Sequence, residues 1–494
     1  MTTQLQEPER RTFGLWTRPR SAGLWGFGWG LTMAGFAAIV IAMITALIGG
    51  AITAVVVVVV ELLVLAPMAV RIEGRTGYER GIQMFQWIRT VLRRENIYRG
   101  GVFSELGTTQ LPGLLAPSRL YEAVDSAGYR FGVVHMPAWH FYTVVIRCWP
   151  QGGRDVDRPM IDGWVASWGA LLASLGGSPD VESIAAVLDT VPETGNRLAA
   201  EVASLTSPYA PSMAREMMHE LAVSLPSNTV RLEAWCAVTF RATTPERRKD
   251  PTEQAVEISR RLPGIVAALS DAGVRARPMD AGEITALVRR TWDPAAEADL
   301  EEAAERDQPH GVRWADAGPI SYDEYKDRLW HDGVTSVCWE MSVAPEGNVY
   351  DDVLRRLVEP NPDVTRKRVA MIYRPHSAGD AANIVDEDYK DALVASQSTR
   401  GMVSAHATLR VGATQQAREE QARGHGVSRF GVIICATEPN ADVPKIDAVI
   451  KDLSVQARLR IRRCYRFQAA AFAASLGIGV VLPEMASIPK SVAE

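Results

Sequence analysis

The sequence lacks the short motifs that most often reveal an enzyme. Its 494 residues contain no GxxxxGK[ST] phosphate-binding loop and no Gly-Lys dipeptide, which excludes a P-loop ATPase motor within this chain. A GxSxG nucleophile elbow and an HExxH zinc-protease motif are absent as well. We therefore expect a protein that is not an enzyme, with no catalytic residues and no cofactor.

Cysteine and basic charge are both scarce. The five cysteines lie far apart, without the CxxC or Cys/His spacing of a zinc site, and are expected to be reduced thiols. His135 and His140 have no third ligand in view, so we expect turn and core residues there rather than a metal site. A net charge of −5 and a pI near 6.0 argue against a protein whose main task is to coat nucleic acid.

One long stretch carries almost no charge. Between Leu24 and Val70 the only ionisable side chain is that of Glu61. A run of this length is too long for one membrane span and about right for two. The Gly49-Gly50 pair offers a turn, so the sequence predicts a two-helix transmembrane hairpin over 24–70, with helices over 24–48 and 51–70.

Arginines flank this stretch on both sides. By the positive-inside rule both ends should face the cytoplasm, which predicts a multi-pass protein of the inner (cytoplasmic) membrane with both termini cytoplasmic. Residues 1–23 form the N-terminal tail. Residues 71–100 read as a basic juxtamembrane helix, whose apolar spacing suits a helix on the membrane surface as well as an ordinary solvated helix.

Small residues recur every fourth position in the first predicted span. Such a stripe lets a second helix approach closely, either the other half of the hairpin or a helix of another subunit. Glu61 would lie about 15 Å along the second helix, near mid-bilayer. It suits a protonated or hydrogen-bonded packing role, a contact inside a larger membrane complex, or proton transport. The stripe consists of Gly30, Ala34, Ala38, Ala42, Ala46 and Gly50.

Beyond residue 100, β-like and helical runs alternate, which is typical of α+β domains. We predict a first cytoplasmic α+β domain over 101–292 and a second over 323–494. The stretch 293–322 between them reads as an acidic, polar linker, because seven acidic residues fall between Asp293 and Asp307.

Cysteine spacing indicates that the α+β region is duplicated. Four cysteines fall in comparable predicted strands, at separations of 88, 102 and 97 residues, as expected for repeated ferredoxin-like βαββαβ units. In the second half, 402–411 and 430–437 are predicted as two hairpin-like strands. The four residues are Cys148, Cys236, Cys338 and Cys435.

Two basic clusters are candidates for contact with a partner. One is Arg366-Lys367-Arg368, and the other is Arg458, Arg460 and Arg462, which alternation would place on one strand face. A solvated or subunit-contacting face is one interpretation, and contact with nucleic acid or phosphate is the other. No aromatic residues for base stacking accompany the arginines.

Several segments resemble those of known proteins. Four of them are Leu111–Arg119 (LPGLLAPSR), Val191–Arg197 (VPETGNR), Trp339–Ser342 (WEMS) and Arg366–Pro375 (RKRVAMIYRP). They look like segments of actinobacterial membrane proteins associated with conjugative, type IV-like transfer loci, and the likeness covers nearly the whole chain. A fifth segment, Gln468–Leu476 (QAAAFAASL), resembles the stretch before the motor of a TrbE/CagE-type assembly ATPase. The layout also resembles a PrgI-type two-helix subunit fused to the N-terminal, non-motor region of that ATPase.

The resemblance implies a non-enzymatic inner-membrane scaffold of a type IV-like secretion or conjugative DNA-transfer apparatus. The ATPase of that family would continue into a motor domain where this chain ends at Glu494, so a separate P-loop ATPase is the expected partner. Other membrane subunits and the lipid bilayer are expected partners as well. Any contact with DNA is expected to be indirect. A type VII secretion membrane subunit is an alternative. A membrane-tethered enzyme or DNA-binding protein is another.

Overall fold

Antiparallel pairing of strands organises most of the chain into one sheet. The computed structural model describes residues 10–486, apart from 15, 17–28, 70, 73–74, 102–103, 105–109, 154–155, 225–229, 346 and 398–404. The strands are β1 Phe13–Gly14, β2 Arg71–Ile72, β3 Arg75–Thr76, β4 Ile97–Arg99, β5 Arg119–Val124, β6 Arg130–Met136, β7 Phe141–Pro150, β8 Val181–Pro192, β9 Val230–Arg241, β10 Val274–Pro278, β11 Ser321–Glu324, β12 Leu329–His331, β13 Val334–Val343, β14 Asn348–Val349, β15 Arg366–Pro375, β16 Ser428–Glu438 and β17 Arg460–Arg463.

The helices lie before the sheet and between its strands. Two of them start at caps that are recognisable in the sequence. The Asp250 carboxylate, just before Pro251, accepts a hydrogen bond from the Thr252 amide. Asp280 forms a capping box with Glu283. The helices are α1 Trp29–Ala69, α2 Gly77–Leu92, α3 Arg158–Gly176, α4 Asn196–Leu205, α5 Ser212–Ser224, α6 Pro245–Lys249, α7 Pro251–Asp271, α8 Ala281–Trp292, α9 Glu297–Glu305, α10 Arg355–Val358, α11 Ala378–Gln397, α12 Ala405–Ala422, α13 Val443–Gln456, α14 Gln468–Ser475 and α15 Leu482–Met485.

The 13-stranded sheet has the order β4-β11-β12-β13-β16-β15-β8-β9-β7-β6-β5, with β10 beside β7 and β17 beside β13. Its two halves follow the same path. In the first half, β7, α3, β8, β9, α7 and β10 give the spatial order β10-β7-β9-β8. In the second, β13, α10, β15, β16, α13 and β17 give β17-β13-β16-β15. A pair of helices is inserted at the same point of each half, α4 and α5 in one and α11 and α12 in the other.

Helices cover the sheet on both faces and produce three cores. On one face, α8 and α14 pack over strands of both halves, and Trp235 in β9 donates its indole N–H to the Leu476 carbonyl at 2.9 Å. On the other face, α3 and α7 cover the first half. The helix α13 and residues around α10 cover the second half there. The two halves therefore share one core and keep one core each.

The halves meet where β8 pairs with β15, and that seam contains buried charge. Arg366 donates to the Asp189 carboxylate at 2.7 Å, and both side chains are almost fully buried. A second arginine, Arg368, lies 3.8 Å from the same carboxylate and donates to the Ser475 hydroxyl at 2.9 Å. Lys367 donates to the Glu359 carbonyl, and burial lowers the pKa of its amine to about 8. The interpretation of this cluster as a solvated or partner-contacting face is therefore wrong.

Part of the stretch 293–322, which was predicted as an acidic, polar linker, is packed into the fold. It lies between the two halves, but α9 packs so that Glu297 and Glu301 are buried and form ion pairs with Arg231. Nearby, burial opposes ionisation of Glu233, yet the guanidinium groups of Arg290 and Arg231 lower its pKa to about 2. Sequence composition could not show that arginines elsewhere in the chain take up these acids.

One predicted strand is a helix. Of residues 402–411, the first three lie outside the described residues, and Ala405 to Val411 belong to α12. The alternation of apolar and polar residues in that short window is compatible with a strand, whereas α12 continues to Ala422 and packs against α11. The second predicted strand, 430–437, is confirmed as part of β16.

The buried Asp189 should be essential for stability. We expect Asp189→Ala to destabilise the protein by ~3–5 kcal/mol, because Arg366 and Arg368 would remain buried without their carboxylate. Thermal unfolding of the detergent-solubilised protein measures this. The control is Asp386→Ala, which removes an exposed partner of Arg418 and should cost less than ~1 kcal/mol. Equal unfolding temperatures for the two variants would contradict the prediction.

A second prediction concerns pH. Burial raises the pKa of Glu324, which accepts a hydrogen bond from the Ala469 amide at the start of α14, to about 7. A raised carboxyl pKa adds stability at low pH that is lost as pH rises from about 4.5 to about 7. We expect Glu324→Gln to remove ~3 kcal/mol of this pH dependence. Unfolding at pH 5 and pH 8 measures it, and the exposed Glu305→Gln, which should leave the slope unchanged, is the control.

Candidate functional site: the apolar helix and its attachment to the sheet

The helix α1 is long, apolar and uncovered by the rest of the protein. Its segment Thr32–Pro67 has 36 residues and is not buried against other parts of the described chain. About 20 apolar residues suffice to cross the hydrocarbon core of a bilayer as a helix. By length and composition α1 is therefore a candidate membrane span, and it is the one found among the described residues.

Glycine interrupts the helical conformation near the middle of α1. Gly50 has φ 80° and ψ 175°, a conformation that side chains other than hydrogen rarely permit. Next to it, a Cβ atom on Gly49 would lie 2.5 Å from the Thr53 hydroxyl. The turn predicted at Gly49-Gly50 coincides with this break, although the helical segments on its two sides are assigned as one element, Trp29–Ala69.

The predicted stripe of small residues is only partly on one covered face. Ala34, Ala38 and Ala42 are partly buried, whereas Ala46 and Gly50 are exposed. Gly30 lies in the first turn of α1, and its surroundings are outside the described part of the chain. Beyond the break, partly buried residues recur at spacings of three and four among exposed ones: Ala54, Val57, Glu61 and Leu65.

Glu61 belongs to this second set. Its Oε1 atom is buried and has no hydrogen-bond partner within the described residues. Sequestering a carboxyl oxygen without a partner is costly, in hydrocarbon above all. The geometry thus keeps Glu61 turned toward the partly covered side of α1, and none of its three predicted roles is singled out.

The chain on both sides of α1 is attached to neighbouring elements of the second half. Before α1, β1 pairs with β14 in a separate two-stranded sheet, and Arg10 forms ion pairs with Asp351 and Asp352 at 3.3 and 2.9 Å. After α1, Arg75 forms an ion pair with Glu340 at 2.6 Å. Glu340 lies near the end of β13, and β14 is the next strand in the chain, so both attachments lie within a few residues of the end of β13.

Arg462 shares the Glu340 carboxylate. Its Nε lies 2.7 Å from the same Oε1 atom that binds Arg75, so one acid balances two arginines. Arg460 and Arg462 both lie in β17, opposite Val343 and Glu340. Arg458 precedes the strand, with φ 53°, and donates to the Asn348 carbonyl at 2.9 Å. The predicted face of three arginines on one strand is therefore wrong, because β17 begins only at Arg460.

The two predicted histidine positions are structural. His135 is buried on β6, its ring stacks on Tyr142 with centroids 4.2 Å apart, and burial lowers its pKa to about 4. His140 ends a 3-10 turn in a left-handed conformation, φ 54°. In the described residues no group of three His, Cys, Asp or Glu side chains is arranged to hold a metal ion.

Sequence reasoning missed an exposed surface beyond the end of β8, on the helix α5. The helix α5 is exposed along most of its length, and its side chains include Met213 and Met217, 71% and 57% exposed. With Leu221 they recur at intervals of four, a spacing that marks one helix face. The preceding Tyr209 is 95% exposed. A groove of about 650 Å³ along α5 is lined by Ser212, Arg215, Glu216, His219, Glu220 and Ser224.

The topology separates this surface from α1. Trp16, which precedes α1 in the chain, contacts Phe430 near the start of β16. Across the sheet, Phe430 pairs with Tyr373, and Tyr373 pairs with Ile184 near the start of β8. The helices α4 and α5 follow the other end of β8. A strand of 12 residues extends over ~40 Å, so α5 emerges at the strand ends opposite those near Trp16.

Comparison with known proteins gives one partial match. Residues 20–79, which cover α1 and the beginning of α2, match a family described as a domain of unknown function (DUF8461). The match ends before the first strand of the 13-stranded sheet, β4, and therefore leaves out the whole of that sheet. Among curated proteins, none matches the chain.

The shared Glu340 carboxylate should hold the chain that follows the apolar helix α1 to the sheet. We expect Glu340→Gln to loosen the chain around β2 and β3, because Arg75 and Arg462 would lose the negative charge between them. Limited trypsin digestion of the solubilised protein should then cleave between 71 and 99 at least several-fold faster. The control is Asp386→Asn, at an exposed ion pair with Arg418. Unchanged cleavage in Glu340→Gln would contradict the attachment.

Proposed function

We propose that this protein is a membrane-anchored scaffold of a type IV-like secretion or conjugative DNA-transfer apparatus, which docks a separate P-loop ATPase and performs no catalysis itself. The identity of the apparatus rests on the sequence resemblance. The observation that carries the scaffold role is that the two ends of the strands differ. An apolar helix is attached near one end, and the methionine-rich helix α5 is exposed at the other end.

The membrane anchor is a two-helix hairpin with both ends in the cytoplasm. Three observations support this topology. The break at Gly50 falls in the middle of α1. The partly buried pairs 34 and 65, 38 and 61, and 42 and 57 are each symmetric about that break, as two antiparallel helices packed together would produce. A straight helix of 41 residues would be ~60 Å long, yet the chain before and after α1 reaches the end of the same strand.

The cytoplasmic region consists of two ferredoxin-like units derived from one duplicated unit. The support is the repeated spatial order, in which the fourth strand of each unit lies beside the first, the third follows, and the second is at the seam. The cysteines occupy corresponding strands, Cys148 and Cys236 in β7 and β9 and Cys338 and Cys435 in β13 and β16. Duplication also accounts for the inserted helix pair in each half.

The docking surface for the ATPase is the α5 face of the first unit. The corresponding helices of the second unit, α11 and α12, bury apolar residues such as Val385 and Ala392, whereas α5 leaves its methionines in solvent. Methionine adapts to irregular partner surfaces. Exposed acids lie on α5 and on the adjoining α4, so a partner segment with an apolar centre and basic flanks fits this face. These acids are Glu216 and Glu220 of α5 and Glu201 of α4.

Co-purification tests the proposal. A P-loop ATPase should be recovered with the protein from native membranes, as identified by mass spectrometry. The triple variant Met213→Ser, Met217→Ser and Leu221→Ser should reduce its recovery about tenfold or more, because truncating the centre of an interface commonly costs above ~1.4 kcal/mol.

The second unit offers a matched control. Val394→Ser with Leu409→Ser changes exposed residues of α11 and α12, 60% and 64% exposed, and should leave recovery of the ATPase unchanged. A lone, monodisperse monomer from native membranes would overturn the scaffold role. Recovery of small WxG-type substrates in place of a transfer ATPase would favour a type VII system.

A further inference from the structure

The helix α2, which follows α1, has its apolar side on the outside. None of its residues is fully buried. Its exposed large apolar side chains project from one arc of about 140° when placed at 100° per residue. In a helix that packs on a soluble core, this arc would face the core. The arc consists of Tyr78, Met84, Phe85, Ile88, Val91 and Leu92, of which Phe85 and Leu92 are 69% and 79% exposed.

The opposite side of α2 is mostly polar and is the side that the protein covers. Gln83 and Thr90 there are partly buried, together with Trp87. The amphipathic pattern is therefore inverted relative to the protein: polar groups face the sheet and apolar groups face away. Burial of apolar area stabilises a structure, so an arc left in water would forgo this stabilisation.

The position of α2 indicates what covers the arc. At its start, the Tyr78 hydroxyl donates to the Val64 carbonyl of α1 at 2.8 Å, and a Cβ atom on Gly77 would lie 2.7 Å from the Pro67 carbonyl. At its end the chain enters β4, which pairs with β11. Midway, the sulfur of Met84 lies 3.9 Å from Arg466. The helix thus begins against α1 and ends beside the edge strand β4.

Charge at the rim of the arc suits a lipid surface. Arg89, in the last turn of α2, and Arg94, just after it, are exposed. Interfacial helices combine an apolar face with arginines or lysines whose charged ends reach anionic headgroups. A protein partner would have to fit between the sheet edge and the bilayer beside α1.

We propose that α2 is an interfacial membrane helix, whose arc from Tyr78 to Leu92 inserts into the boundary between headgroups and acyl chains of the cytoplasmic leaflet. The occupant of the apolar face is lipid. The helix then fixes the sheet edge against the membrane over ~24 Å, the length of its 16 residues. This role depends on α1 as a membrane span and is independent of the ATPase partner.

Spin-label accessibility in proteoliposomes tests the proposal with the full chain. Single cysteines replace Phe85 and Ile88 on the arc and Gln83 and Thr90 on the opposite side, and the vesicles contain phosphatidylcholine with phosphatidylglycerol. The native cysteines are buried, which leaves the new ones as the reactive sites. At 85 and 88, collisions with oxygen should exceed collisions with a polar nickel chelate several-fold. At 83 and 90 this preference should be absent.

Two results would overturn the proposal. Labels at 85 and 88 that meet the nickel chelate as readily as a label at the exposed Tyr129 would place the arc in water. Labels shielded from both reagents would mean that protein covers the arc. Phe85→Glu with Ile88→Glu gives an independent measurement: trypsin cleavage at Arg89 in proteoliposomes should become several-fold faster than in the native chain. In detergent, where no bilayer is present, the two should be cleaved alike.

Discussion

The pairing of β8 with β15 is the interaction on which the rest of the structure depends. These strands come second along the chain in the two halves of the sheet, and seven residue pairs join them into one sheet. The seam is also where Asp189 of one unit balances Arg366 and Arg368 of the other. Without the carboxylate, two guanidinium groups would be buried unpaired, so the charges restrict which units can join and in which register.

Joining the units in this way fixes opposite directions for their inserted helices. Because β8 and β15 are antiparallel, the helices that follow β15 emerge at the strand ends to which α1 is attached. Those that follow β8 emerge at the opposite strand ends. Two similar units thus acquire different surroundings from topology alone. The helices α11 and α12 lie on the α1 side, whereas α5 projects away from it with its methionines exposed.

Local sequence patterns predicted the parts of the structure that depend on local properties. The apolar run of α1 and the break at Gly50 follow from composition and from the conformational freedom of glycine. The spacing of four cysteines indicated a repeat; the two halves of the sheet have the same strand order, and duplication stays a prediction. Much of the helix and strand alternation after residue 100 was predictable as well, because the spacing of apolar residues along a helix or strand is also a local property.

Features that depend on distant partners were not predictable. Arg366 resembles a surface residue until Asp189, 177 residues away, is placed beside it. The acids of α9 suggested a solvated linker because Arg231 is far away in sequence. The start of β17 at Arg460 depends on pairing with β13, which an alternating pattern cannot reveal. The exposed face of α5 was predictable as a helix but not as a surface, since burial is a property of the whole fold.

The order of the chain places a further constraint on assembly. Residues 10–99 carry the apolar helix α1, yet their strands β1 and β4 pair with β14 and β11, more than 200 residues later. During synthesis α1 and α2 therefore leave the ribosome long before the strands that receive their flanks exist. Until then, the later strands of the sheet cannot cover any side of α2. When the second half is complete, it covers the polar side of α2 and leaves the apolar arc exposed. Completion of the sheet thus does not by itself remove the apolar arc of α2 from its surroundings.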